Sequence, residues 1–117
     1  MAKTNDIVFK SEDSMWQLLK NGRRTWDARL HDISDDRIYR LSWGQWEATP
    51  PPGRKPTYNP VEPFVSFQNK ETGETLRFRF AGLEFAPWAP GWCFIQLGGL
   101  IAVISADGVW QYPEEET

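Results

Sequence analysis

Apolar and polar side chains alternate repeatedly along this chain, whereas helical spacing of apolar residues occurs once, and that contrast limits the fold more than any other feature. In "ETLRFRF", Leu76, Phe78 and Phe80 take one face of a strand while Arg77 and Arg79 take the other. "PFVSFQN" precedes it, and "KETGE" between them supplies a tight turn at Thr72-Gly73. "TWDARLH" places Trp26, Ala28 and Leu30 on what reads as the core face, and Asp27, Arg29 and His31 on the polar one. "RIYRLSW" alternates less cleanly, because Ile38 and Leu41 are out of phase, and reads as a strand with a bulge near Tyr39. "WCFIQL" and "LIAVIS" flank Gly98-Gly99, a second hairpin signal. The single helical pattern is Met15, Leu18 and Leu19, from about 12 to 20, with Ser11 as its cap and Asn21-Gly22 as its stop. The expected class is α+β, mainly β: a small, partly closed β-barrel of about six strands with one short N-terminal helix.

The 117 residues supply one core, so a single domain over 1–111 is expected, followed by a frayed acidic tail at 112–117. Residues 48–63 hold six of the nine prolines, and proline lacks the donor a strand ladder needs, so this segment reads as an extended loop. The net charge is −3, all of it matched by Glu114, Glu115 and Glu116, which leaves a neutral body and excludes nucleic-acid coating by bulk charge. Any polyanion site has to be local.

Cys93 is the only cysteine, which excludes an internal disulfide and a multi-thiolate zinc site. Flanked by Trp92 and Phe94, it reads as a buried, inert thiol. "MAKTNDIVFK" lacks the apolar stretch of a signal peptide, and no run approaches the ~18 residues of a membrane helix, so a cytoplasmic location without a membrane partner is expected. His31 is the only histidine, which rules out a His-based metal cluster, and Asp32, Asp35 and Asp36 read as a polar turn because the spacing of a calcium loop is absent. No phosphate-loop or dinucleotide glycine pattern occurs, and no cofactor is expected.

Charge concentrates where the helix hands over to a strand, in "GRRTWDAR". Arg23 and Arg24 beside Thr25 suit a phosphate or the acceptor edge of a base, and Asp27 suits an exocyclic amine. The alternative is that Asp27 and Arg29 pair with each other or with Arg77 and Arg79, leaving an ordinary solvated strand face. Most of the seven tryptophans read as packing residues, with Trp43 or Trp46 as the exposed exception available for stacking, and Arg54, Lys55 and Tyr58 of the proline loop could close over a ligand.

The order Gly22, Arg23, Arg24, Thr25, Asp27, Arg29 after a short helix, together with the later "FVSFQNKETGETLRFRFAGLEF", resembles the ASCH domains of the PUA-like superfamily over roughly residues 7 to 104. The resemblance implies a cleft that binds RNA or a nucleotide-like ligand. A hydrolytic branch of that family, acting on N-acylated cytidine, uses a lysine and a threonine whose positions fall here on Arg24 and Asp27, with Glu47, Glu62 or Glu84 as candidate distal acids. Arginine stays protonated and cannot replace the lysine base, so catalysis is not the leading expectation. The rival expectation is a protein-interaction module, encoded by a phage or other mobile element, that binds a host protein through exposed aromatic loops.

Overall fold

The computed structural model describes residues 6 to 30 and 34 to 113, with the backbone alone at Gln45, Trp46 and Tyr58. Within these residues the elements are β1 (Val8–Ser11), α1 (Asp13–Lys20), β2 (Trp26–Leu30), α2 (Asp36–Leu41), β3 (Gly44–Trp46), β4 (Tyr58–Pro60), β5 (Phe64–Asn69), β6 (Thr75–Phe85), β7 (Trp92–Ile104) and β8 (Trp110–Gln111). One sheet runs in the order β1-β5-β6-β7-β2, with β8 on β7, and β3 pairs with β4 in a small second sheet. The fold is α+β and mainly β, as expected, with a strand order that begins at β1 and ends at β2. The contacts group the chain into two units, Met1–Thr25 with Phe64–Arg79 and Gly98–Thr117, and Trp26–Pro63 with Phe80–Leu97.

In the first unit, β1 lies parallel to β5 with Phe9 opposite Phe67, and β6 lies antiparallel to β5 with Leu76 opposite Phe67. Directly opposed residues share a face, so these side chains enter one core. The Phe9 and Phe67 rings stack at 6.0 Å, and Phe67 meets Phe78 edge-on at 6.1 Å. Trp16 and Leu19 of α1 are buried with them, and the Trp16 indole N–H donates to the Phe67 carbonyl at 3.0 Å. The helix starts after Glu12 with no side-chain cap, whereas Ser11, the expected cap, belongs to β1. Its stop is as expected: Asn21 ends it and Gly22 follows at φ 78°. The expected turn at Thr72-Gly73 also forms, with Gly73 at φ 78° and the Asn69 side-chain oxygen accepting from the backbone N–H groups of Glu71 and Thr72.

Gly98-Gly99 makes no hairpin. β7 runs straight through both, and neither glycine has a positive φ. A Cβ at Gly98 would lie 3.1 Å from the Cβ of Arg79, so the residue is small because a neighbouring strand passes close by. The chain turns later, at Ala106 to Gly108, and returns as β8 with Trp110 opposite Ile104.

In the second unit, "RIYRLSW" is a helix and not a bulged strand. Ile38 and Leu41, out of phase for a strand, are three apart and both buried, and Asp35 caps α2 by accepting from the Arg37 backbone N–H at 3.0 Å. The proline segment contains a strand as well, since Tyr58–Pro60 pairs with Gly44–Trp46. Pro60 is accommodated because a two-stranded sheet has an outer edge. Among the described residues, Phe80, Leu83, Ala86, Cys93, Ile95 and Leu97 complete this unit's buried hydrophobic set.

Candidate functional site

The residues of "GRRTWDAR" fall in both units, and each described charged group except Arg23 is engaged locally. In the first unit, Arg24 is half-buried, its backbone N–H bonded to the Leu18 carbonyl at 3.1 Å and its guanidinium turned onto the Met15 sulfur at 2.7 Å. Arg23 and Thr25 are exposed, and the Arg23 backbone N–H donates to the Asn21 side chain at 3.0 Å. In the second unit, Asp27 is only 4% exposed and holds the Arg29 Nε at 2.5 Å. The expectation that Asp27 and Arg29 pair with each other is met.

Their face is the reverse of the expected one. β2 pairs with β7 so that Asp27 opposes Ile95 and Arg29 opposes Cys93, and both β7 residues are buried. Asp27 and Arg29 therefore share the inner face, while Trp26, Ala28 and Leu30 share the outer face with Gln96, Phe94 and Trp92. Alternation distinguishes two faces without saying which is buried, and here the polar one is.

The outer face is aromatic and open. Trp26 is 39% exposed, Leu30 62% and Trp88 76%, with Trp92 exposed beside them. Trp26 and Trp88 each lie against Phe94, at ring separations of 5.6 and 5.7 Å. The β6–β7 turn positions Trp88: the Ala86 N–H bonds to the Trp92 carbonyl, the Trp92 N–H to the Ala89 carbonyl, and Gly91 adopts φ 89°. Residues 80 to 97 contain Glu84 as their single charged residue. The reading that most tryptophans pack inward is thus overturned; among the described side chains, Trp16 is buried and Trp26, Trp43, Trp88, Trp92 and Trp110 are exposed.

The remaining expected site residues are dispersed. Trp43 is exposed, as expected, and meets the Tyr39 ring edge-on at 5.4 Å. The Trp46 and Tyr58 side chains, and His31, lie outside the described residues. Arg54 donates to both carboxylate oxygens of Glu47, at 2.5 and 2.8 Å, and this hydrogen bond, with that of the Thr57 hydroxyl, holds the Glu47 carboxyl below the usual carboxylate range. Lys55 is exposed. Glu62 pairs with Arg40 at 2.8 Å, and Glu84 is exposed. Glu47 is therefore held as a carboxylate, which does not suit it to donate a proton. Cys93 is buried, as expected, and burial pushes its thiol pKa up.

Comparison of the chain with protein-family models, with curated proteins and with solved structures gives no match. Among the described residues, no helix is long and apolar enough to cross a membrane.

Proposed function

We propose that the protein is an interaction module that binds another polypeptide through the outer aromatic face of β2 and the β6–β7 hairpin. One observation carries this reading: Trp26, Leu30, Trp88 and Trp92 are exposed on a surface whose β6–β7 part has no cation. Contiguous exposed apolar surface is costly in water, and centres of protein interfaces are rich in Trp and poor in charge. A polyanion needs arginine or lysine at its phosphates, and residues 80 to 97 offer none. The partner this surface suits is a protein with an apolar patch of its own.

The rival is RNA, or a nucleotide-like ligand, held at Arg23, Arg24 and Thr25 as the ASCH resemblance implies. Exposed Arg23 supports it; the bond of Arg24 to Met15 and the pairing of Asp27 with Arg29 weigh against it. The two readings separate on variants. A nuclease-resistant protein partner retained by the wild type and by Arg23→Ala, and lost on Leu30→Lys and on Trp88→Ser, supports the aromatic face. A tryptophan-fluorescence response to short single-stranded RNA at low salt, abolished by Arg23→Ala and untouched by Leu30→Lys, would replace it with the rival.

A further inference from the structure

The chain has four asparagines, and only Asn21 is followed by glycine. An asparagine side-chain amide is open to attack by the backbone nitrogen of the next residue when that nitrogen has a proton to lose, is loosely bonded and is uncrowded. Asn21-Gly22 meets all three conditions. Both residues are exposed where α1 ends. The Gly22 N–H reaches the Leu19 carbonyl at 3.3 Å, beyond the usual range of a backbone hydrogen bond. Gly22 carries no side chain, and nothing lies within 4 Å of where a Cβ would stand. The carbon under attack is prepared as well. Asn21 Oδ1 accepts the Arg23 backbone N–H at 3.0 Å, which polarises the side-chain carbonyl and keeps a donor on the oxygen that gains charge during attack.

We infer that Asn21 is a site of spontaneous conversion to aspartate and isoaspartate. The Gly22 nitrogen gives up its proton to solvent base and bonds to Asn21 Cγ. The Cγ–Nδ2 bond breaks, and its nitrogen takes up a proton and leaves as ammonia. A five-membered succinimide ring then joins residues 21 and 22. Water opens this ring, giving aspartate when the new Cγ–N bond is cut and isoaspartate when the original peptide bond is cut. One water is consumed, one ammonia is released, and the product is a carboxylate at neutral pH.

The other asparagines are disfavoured. Asn59 precedes Pro60, whose nitrogen has no proton to lose. Asn69 is 1% exposed; its side chain donates to Asp13 and accepts from the Glu71 and Thr72 N–H groups, and the following Lys70 N–H is bonded to the Ser11 carbonyl at 3.0 Å. Asn5, outside the described residues, is followed by Asp6, whose side chain crowds the nitrogen that a glycine leaves open.

The consequence falls on the basic stretch. Arg23 stands in no ion pair among the described residues, and conversion places a carboxylate two positions before it, at the negative end of the α1 dipole. The new charge offsets the exposed cation on which the RNA reading depends and loosens the last turn of the helix. The proposed role of the aromatic face does not enter this chemistry, so either can fail without the other.

Incubation of the full chain in mildly alkaline buffer at body temperature, followed by peptide mapping with mass spectrometry and enzymatic methylation of isoaspartate, tests the site. The acid form should accumulate at Asn21 ahead of Asn5, Asn59 and Asn69, faster as pH rises, with isoaspartate in the converted peptide and one negative charge gained on ion exchange. Asn21→Gln should abolish the main charge variant. Gly22→Ala, whose methyl group crowds the nitrogen, should slow conversion while leaving the circular dichroism spectrum unchanged. An Asn21 that stays intact through prolonged incubation overturns the inference, as does acid forming first at another asparagine, a charge variant that survives Asn21→Gln, or an unchanged rate in folded Gly22→Ala.

Discussion

Replacing Trp16 with phenylalanine tests how the first unit is held together. The indole is fully buried, at 0% exposure, and its N–H spans from α1 to the Phe67 carbonyl on β5 at 3.0 Å. The substitution removes that hydrogen bond, a loss of about 1 kcal/mol. It also shrinks the ring by roughly 40 Å³, and at ~24 cal/mol per Å³ of residual cavity the void costs about 1 kcal/mol more. The expected destabilisation is about 2 kcal/mol, or ~8 °C in Tm for a chain of this size. Urea unfolding followed by far-ultraviolet circular dichroism is the suitable assay, because the substitution itself changes the tryptophan signal. Trp88→Phe is the control: at 76% exposure it should change stability by less than ~0.5 kcal/mol. If Trp16→Phe proves as mild as Trp88→Phe, α1 is not docked through the indole and the account of this core is wrong.

The two adjacent glycines of β7 should respond oppositely to alanine. At Gly98 a methyl group meets Arg79 at 3.1 Å, whereas at Gly99 nothing lies within 4 Å, so Gly99→Ala should be the more stable of the pair by about 1 kcal/mol in thermal unfolding. Equal stabilities would refute the close approach. Asp35→Ala removes the α2 cap and should cost about 1 kcal/mol in the same measurement. The Arg37 side-chain hydrogen bond, outweighing burial, holds the Asp35 carboxyl below the usual aspartate range. With the folded pKa depressed, the stabilisation is complete above the unfolded aspartate's pKa and is lost as pH falls through the lower folded value. The stability gap between wild type and Asp35→Asn should therefore stay level from neutral pH down to the ordinary aspartate range and close below it. A gap that widens on acidification would contradict the pairing.

The feature that stands out is not the basic pair but what surrounds Ala28. Trp26 and Leu30 were legible as an apolar pair at strand spacing, and Asp27 and Arg29 as its charged alternates. A signal for the open face was also present, in "WCFIQL", whose apolar residues occupy both faces of the strand. Two apolar faces mean either double burial or one exposed interaction surface, and local sequence cannot choose between them.

By itself the sequence determined the mainly β class, the short helix stopped at Asn21-Gly22, the turn at Thr72-Gly73 and the inward set of Leu76, Phe78 and Phe80, because each follows from local periodicity or from a backbone demand only glycine or asparagine meets easily. Tertiary structure alone decided that Gly98 marks a close crossing and not a turn, that Ile38 and Leu41 belong to a helix, and that Asp27 lies inside while Trp26 faces water. Those outcomes depend on which strand lies alongside and in what register. Side-chain direction in a strand repeats every two residues, so the neighbour's register, and not the strand's own composition, settles which half of it is buried.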